Sequence, residues 1–275
     1  MSDLEKFISP LKQLVINAGA EILEVYESSS PIEVEQKSDD SPVTKADYAA
    51  HVIIDKGLKA LDPAYPVLSE EGGIPDYQER RSWQRYWLVD PLDGTKEFIN
   101  KNGEFTVNIA LIDGSEAILG MVYVPVTGVL YYGAKGLGGW KEQAGKRQRL
   151  QAKAVSLGQD LKVVGSRRHG AEALDLMLTN ITSKFNSIDL VSMGSSLKIC
   201  ALAEGTADWY PRLALTSEWD TAAAHAVLAA AGGKIIDEQL LPLTYNQKDS
   251  LLNPFFHAVG DTGFDWSKLI NEAKA

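Results

Sequence analysis

The chain has 275 residues, of which 45% are hydrophobic and 23% are charged, and its formal net charge is -10. This composition excludes a disordered chain, and the length allows a sizeable core in one large domain or two packed halves. The acidic balance argues against sequence-independent binding of nucleic acid polymers, which depends on basic patches. An anionic small molecule remains compatible with it, provided that metal ions or a few placed Lys and Arg side chains neutralise that ligand.

Cysteine content and apolar runs bear on the location of the protein. Cys200 is the one cysteine of the sequence, so no internal disulfide can form, and a buried small side chain is its simplest interpretation. No apolar run approaches the ~20 residues of a membrane span, and the N-terminus lacks the pattern of a secretory signal. We therefore expect a cytoplasmic protein without a transmembrane segment. Loose association with the inner membrane stays open.

In chain order, the first predicted elements are two helices followed by several strands. Apolar residues at three-to-four spacing predict an amphipathic helix over 4–26, and a second helix is predicted over 45–61, before Asp62-Pro63. Short β-type runs follow at 65–69, 86–89, 105–112, 117–124 and 128–132. Glycine-containing turns between several of these runs favour antiparallel pairing.

The second half of the chain alternates helices and strands. The polar, basic stretch 141–154 is predicted to be a crossover between an N-terminal half, 1–157, and a C-terminal half, 158–275. Beyond it we predict strands at 162–165, 235–236 and 256–259, and helices at 171–180, 195–203 and 222–231. This order indicates a mixed α and β chain with alternating layers.

The segment 90–95 reads Asp-Pro-Leu-Asp-Gly-Thr and directly follows an apolar strand. The turn at Pro91 and Leu92 brings Asp93 near Asp90, and two carboxylates so close repel unless a cation such as a hard divalent metal lies between them. Gly94 allows a ligand to approach the backbone. Thr95 is predicted to open a helical turn, whose amides can bind phosphate oxygens.

Two further acidic segments accompany it. Glu70 and Glu71 follow the apolar run 66–68, and Asp220 precedes an Ala-rich helix. Each has a plainer interpretation when taken alone: a solvated turn for the glutamates, and a helix N-cap for Asp220. Asp-x-x-Asp is also common in turns, where Asp bonds its own backbone. Spacing alone therefore leaves a shared metal site and these alternatives open.

In their order along the chain, these segments resemble the inositol monophosphatase-like superfamily of lithium-sensitive, metal-dependent phosphatases. Its signature combines an acidic turn, a D-P-[LI]-D-G-T loop and a W-D-x-x-A motif, which here are Glu70-Glu71, the segment 90–95 and Trp219 to Ala223. The resemblance implies an αβαβα layered sandwich of the sugar-phosphatase type, with mixed and largely antiparallel sheets. It also implies a phosphomonoesterase that uses two or three Mg2+ ions.

The resemblance further assigns roles to single residues. The implied metal ligands are Glu70, Asp90, Asp93, Asp220 and the backbone carbonyl of Leu92. The P-x-T-x-A-D element at 42–47 implies that Asp47 pairs with the Thr95 hydroxyl to orient or deprotonate a water that attacks phosphorus directly. Without the resemblance, Asp47 is an exposed acid on a helix face. The resemblance also implies substrate binding by Glu70, Leu92, Asp93, Gly94, Thr95 and Asp220.

The substrate is suggested by residues 194–198, Gly-Ser-Ser-Leu-Lys. They resemble the 3'(2'),5'-bisphosphate nucleotidase branch of the superfamily, in particular its bacterial CysQ type. Lys198 suits a second phosphate, while Ser195 and Ser196 can donate hydrogen bonds to that phosphate or to a ribose. A solvated lysine is the alternative. The S-R-x-H element of the same branch corresponds to Ser166, Arg167 and His169, for which a charged surface turn is the alternative.

The predicted function is therefore Mg2+-dependent hydrolysis of adenosine 3',5'-bisphosphate to AMP and phosphate by a metal-activated water. The partner is a small-molecule phosphate ester and not a nucleic acid polymer. The alternatives are an inositol monophosphatase or sugar phosphatase of the same superfamily, and a non-catalytic metal- or nucleotide-binding protein. The presence of every implied ligand and of the Asp47–Thr95 pair disfavours the last of these.

Overall fold

The computed structural model describes residues 3–37, 42–166 and 171–274. The helices in these ranges are α1 Glu5–Glu27, α2 Lys45–Lys59, α3 Tyr77–Arg80, α4 Thr95–Ile99, α5 Ala171–Ile181, α6 Leu197–Ala203, α7 Glu218–Ala230 and α8 Trp266–Lys274. The strands are β1 Val34–Gln36, β2 Pro42–Thr44, β3 Val67–Ser69, β4 Arg85–Asp93, β5 Thr106–Asp113, β6 Glu116–Val124, β7 Val129–Ala134, β8 Gly138–Gln143, β9 Lys146–Arg149, β10 Asp160–Gly165, β11 Ser187–Ser192, β12 Trp209–Arg212, β13 Lys234–Asp237 and β14 Phe256–Val259.

Two sheets form the frame of the molecule. The larger has seven strands in the order β3-β4-β5-β6-β7-β8-β9, in which β3 runs parallel to β4 and the following pairs are antiparallel. The smaller has five strands in the order β11-β10-β12-β14-β13, parallel across its first three strands and antiparallel beyond. Strands β1 and β2 form a separate antiparallel pair.

Helices cover both faces of each sheet. The amphipathic helices α1 and α2 bury their apolar stripes on one face of the seven-stranded sheet, and α6 and α7 lie between the two sheets. Helices α5 and α8 pack on the outer face of the five-stranded sheet. The result is five alternating layers of helices and sheets, because each apolar sheet face must be buried against another element. The predicted αβαβα layered fold with mixed, largely antiparallel sheets is confirmed.

Close contact between α7 and the larger sheet depends on glycine. A Cβ placed on Gly120 of β6 would lie 2.0 Å from the backbone oxygen of Ala223, and one on Gly133 of β7 would lie 2.8 Å from the Cβ of Ala230. Only residues without a side chain leave room for the helix backbone here. This close contact holds the start of α7, which carries Asp220, at a fixed depth against the sheet.

Several predicted bounds differ from the structure, and two differences affect the topology or the site most. The stretch 141–154 contains most of the β8–β9 hairpin rather than a simple crossover, with Ala144 and Gly145 at positive φ in its turn. Its basic composition fits strand β9, which forms the exposed edge of the sheet, where charged side chains prevent further pairing. Helix α7 begins at Glu218, before the predicted residue 222, because Ser217 caps it. The division of the chain near residue 157 stays a prediction.

Within the described ranges, no helix combines the length and the apolar character needed to cross a bilayer.

Candidate active site

A β-bulge in β4 brings Asp90 and Asp93 to one face. Asp90 pairs with Asn108 of β5 and Asp93 pairs with Thr106, so three steps along β4 match two steps along β5. On a regular strand, residues three apart point to opposite faces, and the bulge absorbs the extra residue. Pro91, which cannot donate a backbone hydrogen bond, is tolerated at such a bulge. The Asp-Pro-Leu-Asp order therefore places both carboxylates on the same face of the sheet.

The carboxylate of Asp93 is held by donors from across the cleft. Its Oδ2 atom accepts hydrogen bonds from Ser195 Oγ at 2.6 Å and from Ser196 N and Oγ at 2.7 and 3.0 Å. Asn108 Nδ2 lies 3.3 Å from the same oxygen. Since these bonds converge on Oδ2, they leave Oδ1 as the oxygen available to a cation.

Asp47 and Asp220 are positioned by the same device, a capping box at a helix N-terminus. In α2, the backbone N–H of Thr44 donates to Asp47 Oδ2 at 2.8 Å, and in α7 the N–H of Ser217 donates to Asp220 Oδ2 at 2.9 Å. Each carboxylate thus occupies the third position of its helix and uses one oxygen to cap it. Asp220 is not the N-cap residue itself, and Asp47 is buried rather than exposed.

The pair expected between Asp47 and Thr95 is present. Thr95 Oγ1 lies 3.3 Å from Asp47 Oδ1 and 3.4 Å from the backbone oxygen of Leu92. Gly94, at φ +94°, allows the chain to turn from β4 into α4 so that Thr95 opens that helix. Burial raises the pKa of Asp47 above that of an ordinary aspartate. The pair therefore joins a hydroxyl to a carboxylate of increased basicity.

Glu70 enters the site from the end of β3, where Lys37 contacts it. Lys37 Nζ lies 2.8 Å from Glu70 Oε1 and 2.5 Å from Glu71 Oε1. Although Lys37 opposes the effect, burial raises the pKa of Glu70. The two glutamates are thus not a solvated turn. Glu70 turns inward, where it adds to the negative charge beside Asp90.

The acidic side chains repel one another strongly. Desolvation, followed by the charges of Glu70 and Asp93, raises the pKa of Asp90 far above its usual range. Desolvation and the charge of Asp93 do the same to Asp220. A cluster of this kind at neutral pH needs either shared protons or bound cations. Oxygen donors of this kind are those that Mg2+ prefers.

The donors at this site, carboxylate and carbonyl oxygens, are of the kind that Mg2+ prefers. Among the described residues, no three His, Cys, Asp or Glu side chains are arranged to hold one ion by themselves. Mg2+ commonly takes one or two carboxylates and completes its shell with water and substrate phosphate. The residues that would hold it are Glu70, Asp90, Asp93 and Asp220, with the carbonyl of Leu92, and this ligand set stays a prediction.

A cation lies on the other side of the cleft. Lys198, at the start of α6, is only 7% exposed, and its Nζ donates to the backbone oxygens of Ser195 at 2.7 Å and Met193 at 3.1 Å. Desolvation lowers the pKa of Lys198 to about 8. An ammonium has three donors, so one remains for the cleft that Lys198 lines with Asp93 and Asp220. The alternative of a solvated lysine is wrong.

Ser195 and Ser196 lie in the same cleft, but protein groups already engage their hydroxyls. Ser195 Oγ donates to Asp93, and Ser196 Oγ lies 3.0 Å from both Asp93 Oδ2 and the backbone oxygen of Asp220. A serine hydroxyl has one proton to donate. These contacts favour an orienting role in the site, and the predicted donation to substrate stays a prediction.

The remaining predicted residues divide into two groups. Gly94 and Ser166 line the cleft together with Tyr210 and Arg212, whereas Arg167 and His169 lie outside the described residues.

Residues that sequence reasoning missed are Lys37, Thr106 and Asn108. For Thr106 and Asn108 a signal existed, because they are polar residues at alternate positions of an otherwise apolar strand.

Comparison with known proteins agrees with this architecture. The inositol monophosphatase family model matches residues 3–263. The chain belongs to the inositol monophosphatase family. It is 51% identical to the 3'(2'),5'-bisphosphate nucleotidase CysQ of Escherichia coli K12 over 244 residues, which cover 89% of this chain and 96% of that protein. The predicted family resemblance, including that to the bacterial CysQ type, is confirmed.

Solved structures of the family have the same fold. The crystal structure of CysQ from Bacteroides thetaiotaomicron, a bacterial member of the inositol monophosphatase family, is 39% identical to this chain. It superposes with a TM-score of 0.82 over 94% of this chain and 98% of that one. The extragenic suppressor protein suhB from Bartonella henselae gives a TM-score of 0.78 at 23% identity over 98% of each chain, a likeness of fold alone.

Proposed function

We propose that this protein is a Mg2+-dependent 3'(2'),5'-bisphosphate nucleotidase that hydrolyses adenosine 3',5'-bisphosphate to AMP and phosphate. The observation that carries the proposal is the pairing, across one cleft, of a buried carboxylate cluster with the buried ammonium of Lys198. The carboxylates suit a phosphate that is bound through metal ions. Lys198 suits a second phosphate on the same molecule. The similarity to CysQ proteins supports this substrate class.

Divalent ions at such a site supply a water of lowered pKa and neutralise charge on the phosphoryl oxygens. The protein residues supply proton transfer and orientation. Asp47 accepts the Thr95 hydroxyl proton, so that the Thr95 oxygen can in turn accept a proton from the attacking water. The water oxygen bonds to phosphorus while the bond to the ribose 3'-oxygen breaks. That oxygen takes up a proton from solvent water, and Asp47 later releases its proton to solvent.

The polar groups around the reacting phosphate are fixed before substrate binds. Asp93 is held through Oδ2, Asp47 and Asp220 are held by their capping boxes, and Thr95 lies at the start of α4. Phosphate monoester hydrolysis is among the slowest uncatalysed reactions, so its catalysis depends on positioning and charge stabilisation. Preorganised carboxylates meet that requirement because they need no rearrangement during turnover.

Phosphate release from two substrates tests the proposal. Adenosine 3',5'-bisphosphate and inositol 1-phosphate are compared, each with Mg2+ and with EDTA. We expect a clear preference for the bisphosphate and no turnover in EDTA. A preference for inositol 1-phosphate would replace the substrate assignment with an inositol monophosphatase. Activity that survives EDTA would overturn the metal requirement. A cytoplasmic location stays a prediction.

A further inference from the structure

Two polar side chains are buried within strand β5, beneath the carboxylate cluster. Thr106 and Asn108 are 0% and 1% exposed, and they alternate with the apolar residues Val107 and Ile109. Alternate residues of a strand share a face, so both point to the side where Asp93 and Ser195 lie. Buried polar groups in an apolar strand are costly unless they are hydrogen-bonded. Their partners therefore indicate what they are for.

Asn108 bridges the two sides of the cleft. Its Nδ2 lies 2.9 Å from Ser196 Oγ and 3.3 Å from Asp93 Oδ2, and its Oδ1 lies 3.0 Å from Thr106 Oγ1. An ionised carboxylate can only accept, which fixes the amide with its nitrogen towards Asp93. Both amide protons of Asn108 are thus committed to the turn at 195–196 and to Asp93.

Thr106 continues the chain of hydrogen bonds. Its Oγ1 lies 2.6 Å from Ser195 Oγ, which donates its single proton to Asp93. Thr106 has a single hydroxyl proton, which lies between two acceptors, Ser195 Oγ and Asn108 Oδ1. Ser195 itself has φ +51°, a backbone conformation that costs a non-glycine residue free energy and persists only where contacts maintain it. Thr106 is one of those contacts.

We infer that Asn108 and Thr106 are positioning residues that orient Asp93, through Ser195 and Ser196, so that its Oδ1 faces the cation. The inference rests on the proposed metal site. Both residues are buried, and their hydrogen bonds go to Asp93, Ser195, Ser196 and each other. Removing such an orienting group commonly reduces metal affinity about 10- to 100-fold without removing a ligand. The residue that binds the metal and the residues that aim it thus come from separate strands.

Mn2+ affinity, measured by the loss of the free-ion EPR signal, tests the inference without any substrate. Asn108→Leu keeps the number and branching of the side-chain heavy atoms but removes the amide oxygen and nitrogen. We expect its affinity for Mn2+ to fall about 10- to 100-fold. Thr106→Val should lower affinity about two- to tenfold, the worth of one neutral hydrogen bond, and Thr106→Ser should restore it.

A matched control separates positioning from loss of stability. Tyr132→Phe removes a hydrogen bond of 2.7 Å to Glu142 in the same sheet, on the face opposite the cleft. It should lower the melting temperature and leave Mn2+ affinity unchanged. Unchanged Mn2+ affinity in folded Asn108→Leu and Thr106→Val would overturn the inference. Should Asn108→Leu fail to fold, the difference between Thr106→Val and Thr106→Ser decides it. Substrate preference of the wild type tests the proposed function separately.

Discussion

On the β4 side of the cleft, Asp90 accepts a hydrogen bond from the Leu92 amide and is surrounded by other carboxylates. On the opposite side, donors of the turn at 193–198 are already hydrogen-bonded to protein acceptors. Lys198 Nζ donates to the backbone oxygen of Ser195 within that turn. Asp93, three residues from Asp90, belongs to this second environment because its Oδ2 faces that turn. From this contrast we expect one side of the site to depend on added cations and the other to keep its arrangement without them.

The largest effects are expected for the two aspartates of the bulge. Asp90→Asn and Asp93→Asn should each lower kcat/KM on the order of a thousandfold, because each removes a carboxylate assigned to the metal. Their stabilities should differ in sign. In EDTA at neutral pH, Asp90→Asn should melt above the wild type, and Asp93→Asn below it.

The sign follows from the surroundings of each group. The pKa of Asp90 is raised in the folded protein, so folding favours its protonated form, and stability falls as pH rises above the unfolded value near 3.8. Removing the charge relieves that cost. Asp93→Asn instead weakens the charge-assisted hydrogen bonds that the Asp93 carboxylate accepts from Ser195 and Ser196. Calorimetric melting in EDTA checks this, and a shift of the same sign in both variants would contradict the comparison.

The next largest effect concerns proton transfer. Asp47→Asn and Thr95→Val should lower kcat about 100- to 10,000-fold, the range for a general acid–base group, and change KM little. The double variant should lose no more than the worse single variant, because the two residues act as one pair. Steady-state kinetics of the three variants checks this. Additive losses would show that Asp47 and Thr95 act independently.

A smaller, substrate-dependent effect is expected for Lys198. Lys198→Met should lower kcat/KM for adenosine 3',5'-bisphosphate about 10- to 100-fold, the worth of a hydrogen bond from a charged donor. It should change little for a simple phosphomonoester such as p-nitrophenyl phosphate, which has no second phosphate. An equal loss for both esters would assign Lys198 to the shape of the turn at 193–198 rather than to recognition.

The smallest expected effect is a pH dependence of kcat/KM, which also arises from Lys198. Desolvation lowers the pKa of Lys198 to about 8, so its positive charge is present below that pH and is lost above it. For the wild type, kcat/KM for the bisphosphate should decline as pH rises through about 8, since kcat/KM reports the free enzyme. Lys198→Met should lack this decline. A wild-type profile that stays flat from pH 7 to 9 would contradict the assignment.

Strongly periodic elements and local motifs were predicted best from the sequence. Strand β14 has the predicted bounds 256–259, and α1 differs from its prediction by one residue at each end. The strand β11 was missed because its exposed edge position leaves no clear apolar alternation. The hairpin at 138–149 was missed because its edge strand β9 is polar throughout. Charged residues protect exposed edge strands from further pairing, so β9 lacks the apolar alternation that indicates a strand.

For the site, sequence motifs predicted which residues meet but not how each is held. The bulge at Pro91 and the burial of Lys198 depend on register or on partners distant in the chain, whereas the capping boxes of Asp47 and Asp220 are local. The Ser and Thr residues three positions before these aspartates were a readable capping signal. The contact of Lys37 with Glu70 joins residues 33 positions apart and has no local pattern.

Anomalous diffraction from crystals soaked in Mn2+ with AMP tests whether these carboxylates hold the metal. We expect Mn2+ peaks bounded by Glu70, Asp90, Asp93 and Asp220, with the Asp93 Oδ1 atom towards the ion. We also expect these peaks to disappear in Asp90→Asn. Mn2+ bound elsewhere, or absent from this cluster at concentrations that support turnover, would contradict the assignment of these carboxylates as the metal site.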